Sequence, residues 1–114
     1  MSINKYTYGI IGYDLSEQRK ELITEELVES KEYERYSCFQ RVGKIRAFDD
    51  PMSGDYLYFG YIFFRTDESY EDESASFYIE DFEETITDVK EELLKCFGIV
   101  APDNPKVIVF NEFR

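Results

Sequence analysis

The 114-residue chain contains no histidine and no tryptophan, and it has only two cysteines. Histidine is the commonest general base and zinc ligand, and it completes the Ser/His and Cys/His pairs of many hydrolases. Those mechanisms therefore lack their central residue here. Cys38 and Cys96 are far apart and have no CxxC spacing, a pattern typical of reduced, buried thiols rather than of a disulfide scaffold or a metal site.

The sequence also contains no phosphate-binding or calcium-binding motif, no membrane-spanning run and no secretory signal. There is no GxxxxGK[ST] or GxGxxG loop, and residues 67–73 lack the DxDxDG order of a calcium loop. No run approaches the roughly 20 apolar residues of a membrane span, and Met1 to Tyr8 lack the basic and apolar regions of a secretory signal. We therefore predict a cytoplasmic protein that has no catalytic residues, no cofactor and no metal, and that does not contact a membrane.

Aromatic and acidic residues are abundant instead. Ten Phe and ten Tyr supply large apolar area, and the absence of a linker or repeat predicts a single domain over residues 1–114. Thirteen basic against twenty-five acidic residues give a formal net charge of −12. Residues 67–92 hold twelve of the acids and a single base, Lys90, whereas residues 35–48 hold four bases and no acid. Such an acidic segment repels nucleic acid and attracts basic protein surfaces.

The first half of the chain predicts a strand, a helix and a second strand. Tyr6 to Tyr13 has apolar residues on both faces, which is typical of a central strand. Asp14 and Ser16 follow as two candidates for a helix N-cap, and the spacing of apolar residues predicts an amphipathic helix over residues 15–30. Residues 34–48 are strand-like, and their alternation changes phase at Gly43, which indicates a β-bulge there.

The second half predicts a hairpin, a helix and a last strand. Residues 49–54 form a turn that leads into a strand at 56–65, and residues 66–76 form a polar loop. A helix that ends at Gly98 follows, with a short strand at 107–110 after it. Its apolar stripe consists of Phe82, Ile86, Val89, Leu93 and Phe97. The order β, α, β, β, α, β predicts an α+β fold, a ferredoxin-like sandwich with a four-stranded antiparallel sheet and two helices on one face.

Two segments resemble known nucleic-acid proteins. The stretch IIGYDLSEQRKEL, with YSCFQRVGKI after it, is similar to the opening of the CRISPR-associated Cas2 family, over about 40 residues. This resemblance implies that Asp14 is a metal ligand of a nuclease, although SCFQR stands where the family has SVFEG. The alternative is that Asp14 only caps a helix.

The second resemblance lies on the third predicted strand. Phe59 to Phe64 (FGYIFF) is similar to the later part of the RNP1 motif of RNA-recognition (RRM) domains. It implies that Phe59, Tyr61 and Phe64 stack on bases from an exposed sheet face. Leu57 and Tyr58 replace the basic residue and the glycine of that motif. The alternative is that these rings pack in a core or dock a protein.

The acidic segment carries the leading functional hypothesis. At helical spacing four carboxylates share one outward face, with Cβ atoms of neighbours about 5–6 Å apart, a separation that can imitate a row of phosphates. The predicted binding surface comprises the preceding loop and this face: Asp67, Glu68, Glu71, Asp72, Glu73, Glu84, Asp88, Glu91 and Glu92. We therefore predict a binding protein, not an enzyme, that occupies the basic, nucleic-acid-binding surface of another protein.

Small DNA-mimic and anti-CRISPR proteins of phages or mobile elements share this profile as a class. An immunity protein for a basic toxin is the nearest alternative, and a Cas2-like nuclease or an RRM-like module are the others. The predicted partner is a basic protein, with no direct binding of nucleic acid, because phosphate contacts need Lys and Arg. The sequence contains no signal for an oligomeric state. An acidic face that only keeps the protein soluble remains the other interpretation.

Overall fold

A computed structural model of the protein describes residues 5–36, 44–50, 54–67, 82–102 and 104–113. Four strands form one sheet in the order β2-β3-β1-β4, and each neighbouring pair is antiparallel. The strands are β1 (Lys5–Asp14), β2 (Ile45–Asp49), β3 (Leu57–Asp67) and β4 (Lys106–Phe113). Together with the helices given below, this sheet makes the chain an α+β protein.

The predicted first strand is confirmed as a central one. β1 lies between β3 and β4, and Ile10 and Ile11 are both fully buried although they point to opposite faces. The predicted hairpin is also confirmed, since β2 pairs with β3 from Ile45↔Tyr61 to Asp49↔Leu57. The last strand is longer than the predicted residues 107–110 because it pairs with nearly all of β1.

The continuous helix predicted over residues 15–30 is wrong. The chain instead forms a 3-10 turn (Ser16–Gln18) and three one-turn helices, α1 (Arg19–Leu22), α2 (Glu25–Val28) and α3 (Lys31–Glu34). Thr24 and Ser30 cause the breaks, because their hydroxyls accept hydrogen bonds from Leu27 N (3.1 Å) and Tyr33 N (3.2 Å) as N-caps. Such side chains offer the backbone an alternative to helical hydrogen bonding. The second predicted helix is confirmed as one element, α4 (Phe82–Phe97).

The strand predicted over residues 34–48 begins later than expected. Glu34 is the last residue of α3, and β2 starts at Ile45. Gly43, the predicted bulge, lies outside the described residues. An irregularity occurs instead between β1 and β3, where Gly9 pairs with Phe64 and Ile10 pairs with Ile62, so that Phe63 is the extra residue. Glycine at position 9 leaves room for the Phe63 ring, since a Cβ there would lie 2.8 Å from the Phe63 Cζ atom.

Two apolar clusters lie on opposite faces of the sheet. The first joins the sheet to the helices, and its buried members include Tyr13, Phe59, Val89 and Leu93. Residues of α1 and α2 pack against the same cluster. The second cluster is built around Tyr8, Ile10, Phe48 and Ile62, with half-buried Tyr56, Tyr58 and Phe110 against it. Both faces of the sheet are therefore apolar.

The second face is closed by side chains of the two outer strands, β2 and β4. The ring centroids of Phe48 and Phe110 are 4.9 Å apart, and Arg46 Nη2 lies 3.1 Å from Glu112 Oε2. In a flat sheet β2 and β4 would be about 14 Å apart, three strand spacings of about 4.8 Å. Contacts across that span require the sheet to curl toward this face, which explains why Tyr8 is only 1% exposed.

A glycine pair permits this curl. Gly12 of β1 and Gly60 of β3 are directly opposite each other. A Cβ at Gly12 would lie 2.0 Å from the Phe59 carbonyl oxygen, and one at Gly60 would lie 2.5 Å from the Ile11 carbonyl oxygen. Glycine within strands commonly marks a tight bend or a close approach of backbones. The two central strands can therefore approach closely only because neither position carries a side chain.

Candidate partner-binding surface

Helix α4 carries the predicted acidic face because its other side is held in the core. Val89, Leu93 and Cys96 are buried, which leaves the opposite side in solvent. Gly98, at φ +71°, ends the helix in the left-handed conformation, and its N–H donates to Leu94 O at 2.9 Å. Lys95 in the last turn and acidic residues in the first turn complement the helix dipole.

Three of the four predicted carboxylates of α4 are on its exposed side. Glu84, Asp88 and Glu91 are exposed, and their spacing makes them neighbours on the helix surface. Glu92 is different, since its side chain is only 16% exposed. The expectation that Glu92 faces outward with the others is therefore wrong.

Glu92 joins two elements of the helical layer. Tyr36, which follows α3, donates a hydrogen bond from its hydroxyl to Glu92 Oε2, and Lys95 Nζ lies 3.4 Å from Glu92 Oε1. Burial raises the pKa of Tyr36, and the hydrogen bond to Glu92 raises it further. The contact requires a protonated Tyr36 as the donor. Glu92 therefore joins α4 to the end of α3.

The predicted loop half of the surface is described at one position only. Asp67 is the last residue of β3. Glu68, Glu71, Asp72 and Glu73 lie outside the described residues. Their part in binding stays a prediction.

The structure adds a second set of carboxylates that the sequence analysis did not assign to the binding surface. Residues 19–35 lie beside α4, with the rings of Tyr33 and Phe97 6.1 Å apart. We define the acidic surface as the ten exposed carboxylates of residues 19–35 and 82–97. The same two ranges contain five exposed Lys or Arg side chains. The members of the acidic surface are Glu21, Glu25, Glu26, Glu29, Glu32, Glu34, Glu83, Glu84, Asp88 and Glu91. The amphipathic pattern of residues 15–30 was the signal that could have found the first four.

Of the three bases that the structure describes in residues 35–48, one is withdrawn from solvent. Arg46 is 3% exposed and donates to Tyr8 Oη (3.0 Å) and to the Glu112 carboxylate. Arg35 and Lys44 are exposed, and Arg41 lies outside the described residues. The position of Arg46 therefore weakens the case for phosphate binding by this stretch.

Asp14 is not at the N-cap position that the sequence predicted for it, since Leu15 precedes the 3-10 turn (Ser16–Gln18). The Asp14 carboxylate makes local hydrogen bonds instead. Its Oδ1 accepts hydrogen bonds from Ser16 N (3.0 Å) and Ser16 Oγ (2.5 Å), and Ser16 Oγ accepts one from Leu57 N (3.1 Å). These contacts attach the end of β1 to the start of β3. In the part of the chain that the structure describes, no group of three or more Cys, Asp or Glu residues could hold a metal ion.

We expect Asp14→Asn to change the free energy of unfolding by less than about 0.5 kcal/mol, because the Asn side-chain oxygen can accept the same hydrogen bonds from Ser16. Asp14→Ala should cost about 1 kcal/mol, since Ser16 N loses its acceptor. Urea unfolding measures both. Neither wild type nor variant should cleave DNA or RNA with Mg²⁺ or Mn²⁺. Cleavage by the wild type that disappears in Asp14→Asn would establish the Cas2-like function instead.

Two of the three aromatic residues that the RNP1 likeness assigns to base stacking lie against the core. Phe59 is 0% exposed and belongs to the cluster that packs under the helices. Tyr61 packs against the same cluster. Stacking on nucleic acid needs rings on an open sheet face, so Phe59 cannot serve that purpose in the folded protein.

Cys96 is placed as an inert core residue. It is 3% exposed, and burial, followed by the nearby Glu92 charge, raises its thiol pKa to about 12. A buried thiol whose pKa is raised stays protonated at neutral pH, which makes it a poor nucleophile. Cys38 lies outside the described residues.

Comparisons of the chain with protein-family models, with curated proteins and with solved structures find no match. The likenesses to Cas2 and RRM proteins therefore rest on the quoted residues alone. Among the described helices, none has both the length and the apolar character needed to cross a membrane.

Proposed function

We propose that the protein binds, through its acidic surface, the basic surface with which another protein holds nucleic acid. The observation that supports this is the concentration of ten exposed carboxylates against five exposed bases on the helical layer. Adjacent carboxylates on α4 have Cβ atoms about 5–6 Å apart. A basic surface that accepts a row of phosphates presents Lys and Arg at comparable intervals, so it can accept this row of carboxylates instead.

Electrostatics would act first on the rate of association. An excess of one charge sign on a surface steers an oppositely charged partner toward it and raises the on-rate in a salt-dependent manner. The same excess repels DNA and RNA, whose affinity for proteins depends on Lys and Arg contacts to phosphates. A protein of this kind competes with nucleic acid rather than binding it.

We also propose a ferredoxin-like βαββαβ sandwich as the scaffold. The strand order β2-β3-β1-β4, with antiparallel neighbours throughout, supports it. The helical segments connect β1 to β2 and β3 to β4, as two interleaved βαβ units require. Residues of α2 and α4 pack against one shared cluster, which supports a position on the same face.

The test is capture followed by competition. The tagged protein is incubated with lysate of its native host, and proteins released between low and high salt are identified by mass spectrometry. The captured protein is then purified and given a fluorescent DNA or RNA duplex. We expect the acidic protein to displace the duplex, and the displacement to weaken as salt is raised because screening acts over about 8 Å at physiological ionic strength.

Two results would contradict the proposal. One is that no basic nucleic-acid-binding protein elutes with salt. The other is that such a protein elutes but keeps its duplex at saturating concentrations of the acidic protein. Capture of a basic toxin whose target is not nucleic acid would instead establish the immunity function.

A further inference from the structure

An open groove runs between residues 21–32 and the end of α4, with a volume of about 420 Å³. That volume falls within the range of about 300–1,000 Å³ that ligand pockets span. Its floor is apolar, since Leu22, Leu27 and Phe97 line it and are half-buried against the core. The floor of this groove therefore favours an apolar group, beneath a polar rim.

The rim of the groove favours a positively charged ligand because it is mainly acidic. Glu21, Glu26 and Glu32 line it and are exposed, and the one basic lining residue is Lys95. The Lys95 ammonium is directed in part toward Glu92, at 3.4 Å. A cationic occupant is therefore favoured over a neutral or anionic one.

We propose that this groove receives an amphipathic basic segment of the protein partner, in which an Arg or Lys stands beside a large aliphatic side chain. The aliphatic group covers the floor formed by Leu22, Leu27 and Phe97, and the cation reaches the rim carboxylates. Long basic side chains suit this role because their methylene stems pack on apolar surface while their charge stays in water. This inference rests on the proposed function, since it specifies the partner of the same surface.

The groove adjoins the exposed acidic side of α4. Lys95, on its rim, lies one turn beyond Glu91, and residues four apart are neighbours on a helix surface. A partner seated on Glu84, Asp88 and Glu91 can therefore extend its chain into the groove. The groove adds an apolar contact of defined shape to the charge of α4, so it provides specificity that charge alone does not.

The probe is an amidated synthetic peptide of alternating arginine and leucine. Titration into ¹⁵N-labelled protein should shift the backbone resonances of Leu22, Leu27 and Phe97 most. An arginine-serine peptide of equal length should bind at least fivefold more weakly, because it leaves the floor uncovered, and a glutamate-leucine peptide should not bind. Equal affinity of the arginine-serine peptide, or shifts confined to α4 residues 84–91, would overturn the proposal.

A variant of the groove rim is compared with a control variant that removes the same charge outside the groove. Glu26→Gln with Glu32→Gln should raise the Kd of the arginine-leucine peptide roughly three- to tenfold, since the variant removes two exposed ion pairs, each of which contributes modestly to binding. The control Glu25→Gln with Glu29→Gln removes the same charge at exposed positions that do not line the groove, and should change the Kd less than twofold. Lys95→Gln should lower the Kd. Equal losses in the rim variant and the control, or no binding by the wild type at low salt, would refute the groove as a site.

The partner captured from the host separates this inference from the proposed function. If the partner's affinity depends on the carboxylates of α4 but is unchanged in the Glu26→Gln, Glu32→Gln variant, the groove inference fails and the proposed function stands. If no basic partner depends on either set of carboxylates, the proposed function fails.

Discussion

Replacement of Arg46 by Ala is expected to lower the free energy of unfolding by roughly 3–5 kcal/mol, because it leaves a buried carboxylate without its cation. Arg46 and Glu112 are 3% and 8% exposed. The guanidinium Nη2 lies 3.1 and 3.3 Å from the two Glu112 oxygens, and its central carbon lies 4.3 Å from the Phe48 ring centroid. The substitution thus removes an ion pair and the packing of one face of the curled sheet together.

Urea unfolding followed by circular dichroism measures the loss, and two variants identify its cause. Arg46→Lys should recover part of the stability, since an ammonium keeps the charge but not the planar set of donors. Arg46→Met combined with Glu112→Leu should be more stable than Arg46→Ala, because apolar replacement of both partners of a buried pair is commonly neutral or stabilising. A cost below about 1 kcal/mol for Arg46→Ala would show that water reaches Glu112 and that the pair is not buried.

Neutralising the exposed side of α4 is expected to have the largest effect on binding. In a variant carrying Glu84→Gln, Asp88→Asn and Glu91→Gln, the Kd for the captured partner should rise about tenfold or more. Three carboxylates that contribute roughly 0.5–1 kcal/mol each amount to about 1.5–3 kcal/mol. The dependence of Kd on salt should also become flatter. Glu92 is left unchanged because it accepts the hydrogen bond of Tyr36.

The fold should tolerate this variant. Asp88 is four residues from Glu84 and three from Glu91, so the substitutions relieve repulsion between like charges. Glu84 lies in the first turn, where loss of its charge removes a favourable interaction with the helix dipole. These effects oppose each other, and we expect the free energy of unfolding to change by less than about 0.5 kcal/mol.

A control variant separates position from net charge. Asp14→Asn, Glu17→Gln and Asp55→Asn remove the same number of charges from exposed residues outside the acidic surface, and we expect the Kd to change less than threefold. An equal loss of affinity in the control would show that only the net charge matters. An unchanged Kd and salt dependence in the folded α4 variant would show that the carboxylates of α4 serve solubility alone.

Local sequence patterns predicted the elements that depend on neighbours within one or two turns. The apolar stripe from Phe82 to Phe97 and the glycine after it define α4, because helical periodicity and a left-handed cap are read from adjacent residues. The apolar character of both faces marked β1 as central. The concentration of acids at residues 67–92 is likewise a property of composition.

The same local reasoning failed where two local tendencies compete. Residues 15–30 have the periodicity of one helix, and Leu22 and Leu27 do pack against the core while Glu21 and Glu25 are exposed. Thr24 and Ser30 nevertheless divide the segment into one-turn helices. Their hydroxyls accept hydrogen bonds from backbone N–H groups. The spacing of apolar residues gives no information about such hydrogen bonds.

Only the tertiary structure decided which distant residues meet. Tyr36 and Glu92 are 56 residues apart in the chain, and Arg46 and Glu112 are 66 apart. Their contacts depend on the order of the strands and on the curl of the sheet, neither of which is encoded within a few neighbouring residues. The sequence by itself therefore determined that the protein is acidic, aromatic and built from strands and helices. The turning inward of Glu92, the burial of Arg46 and the groove beside α4 follow from how those elements pack, because packing brings together side chains that no local pattern relates.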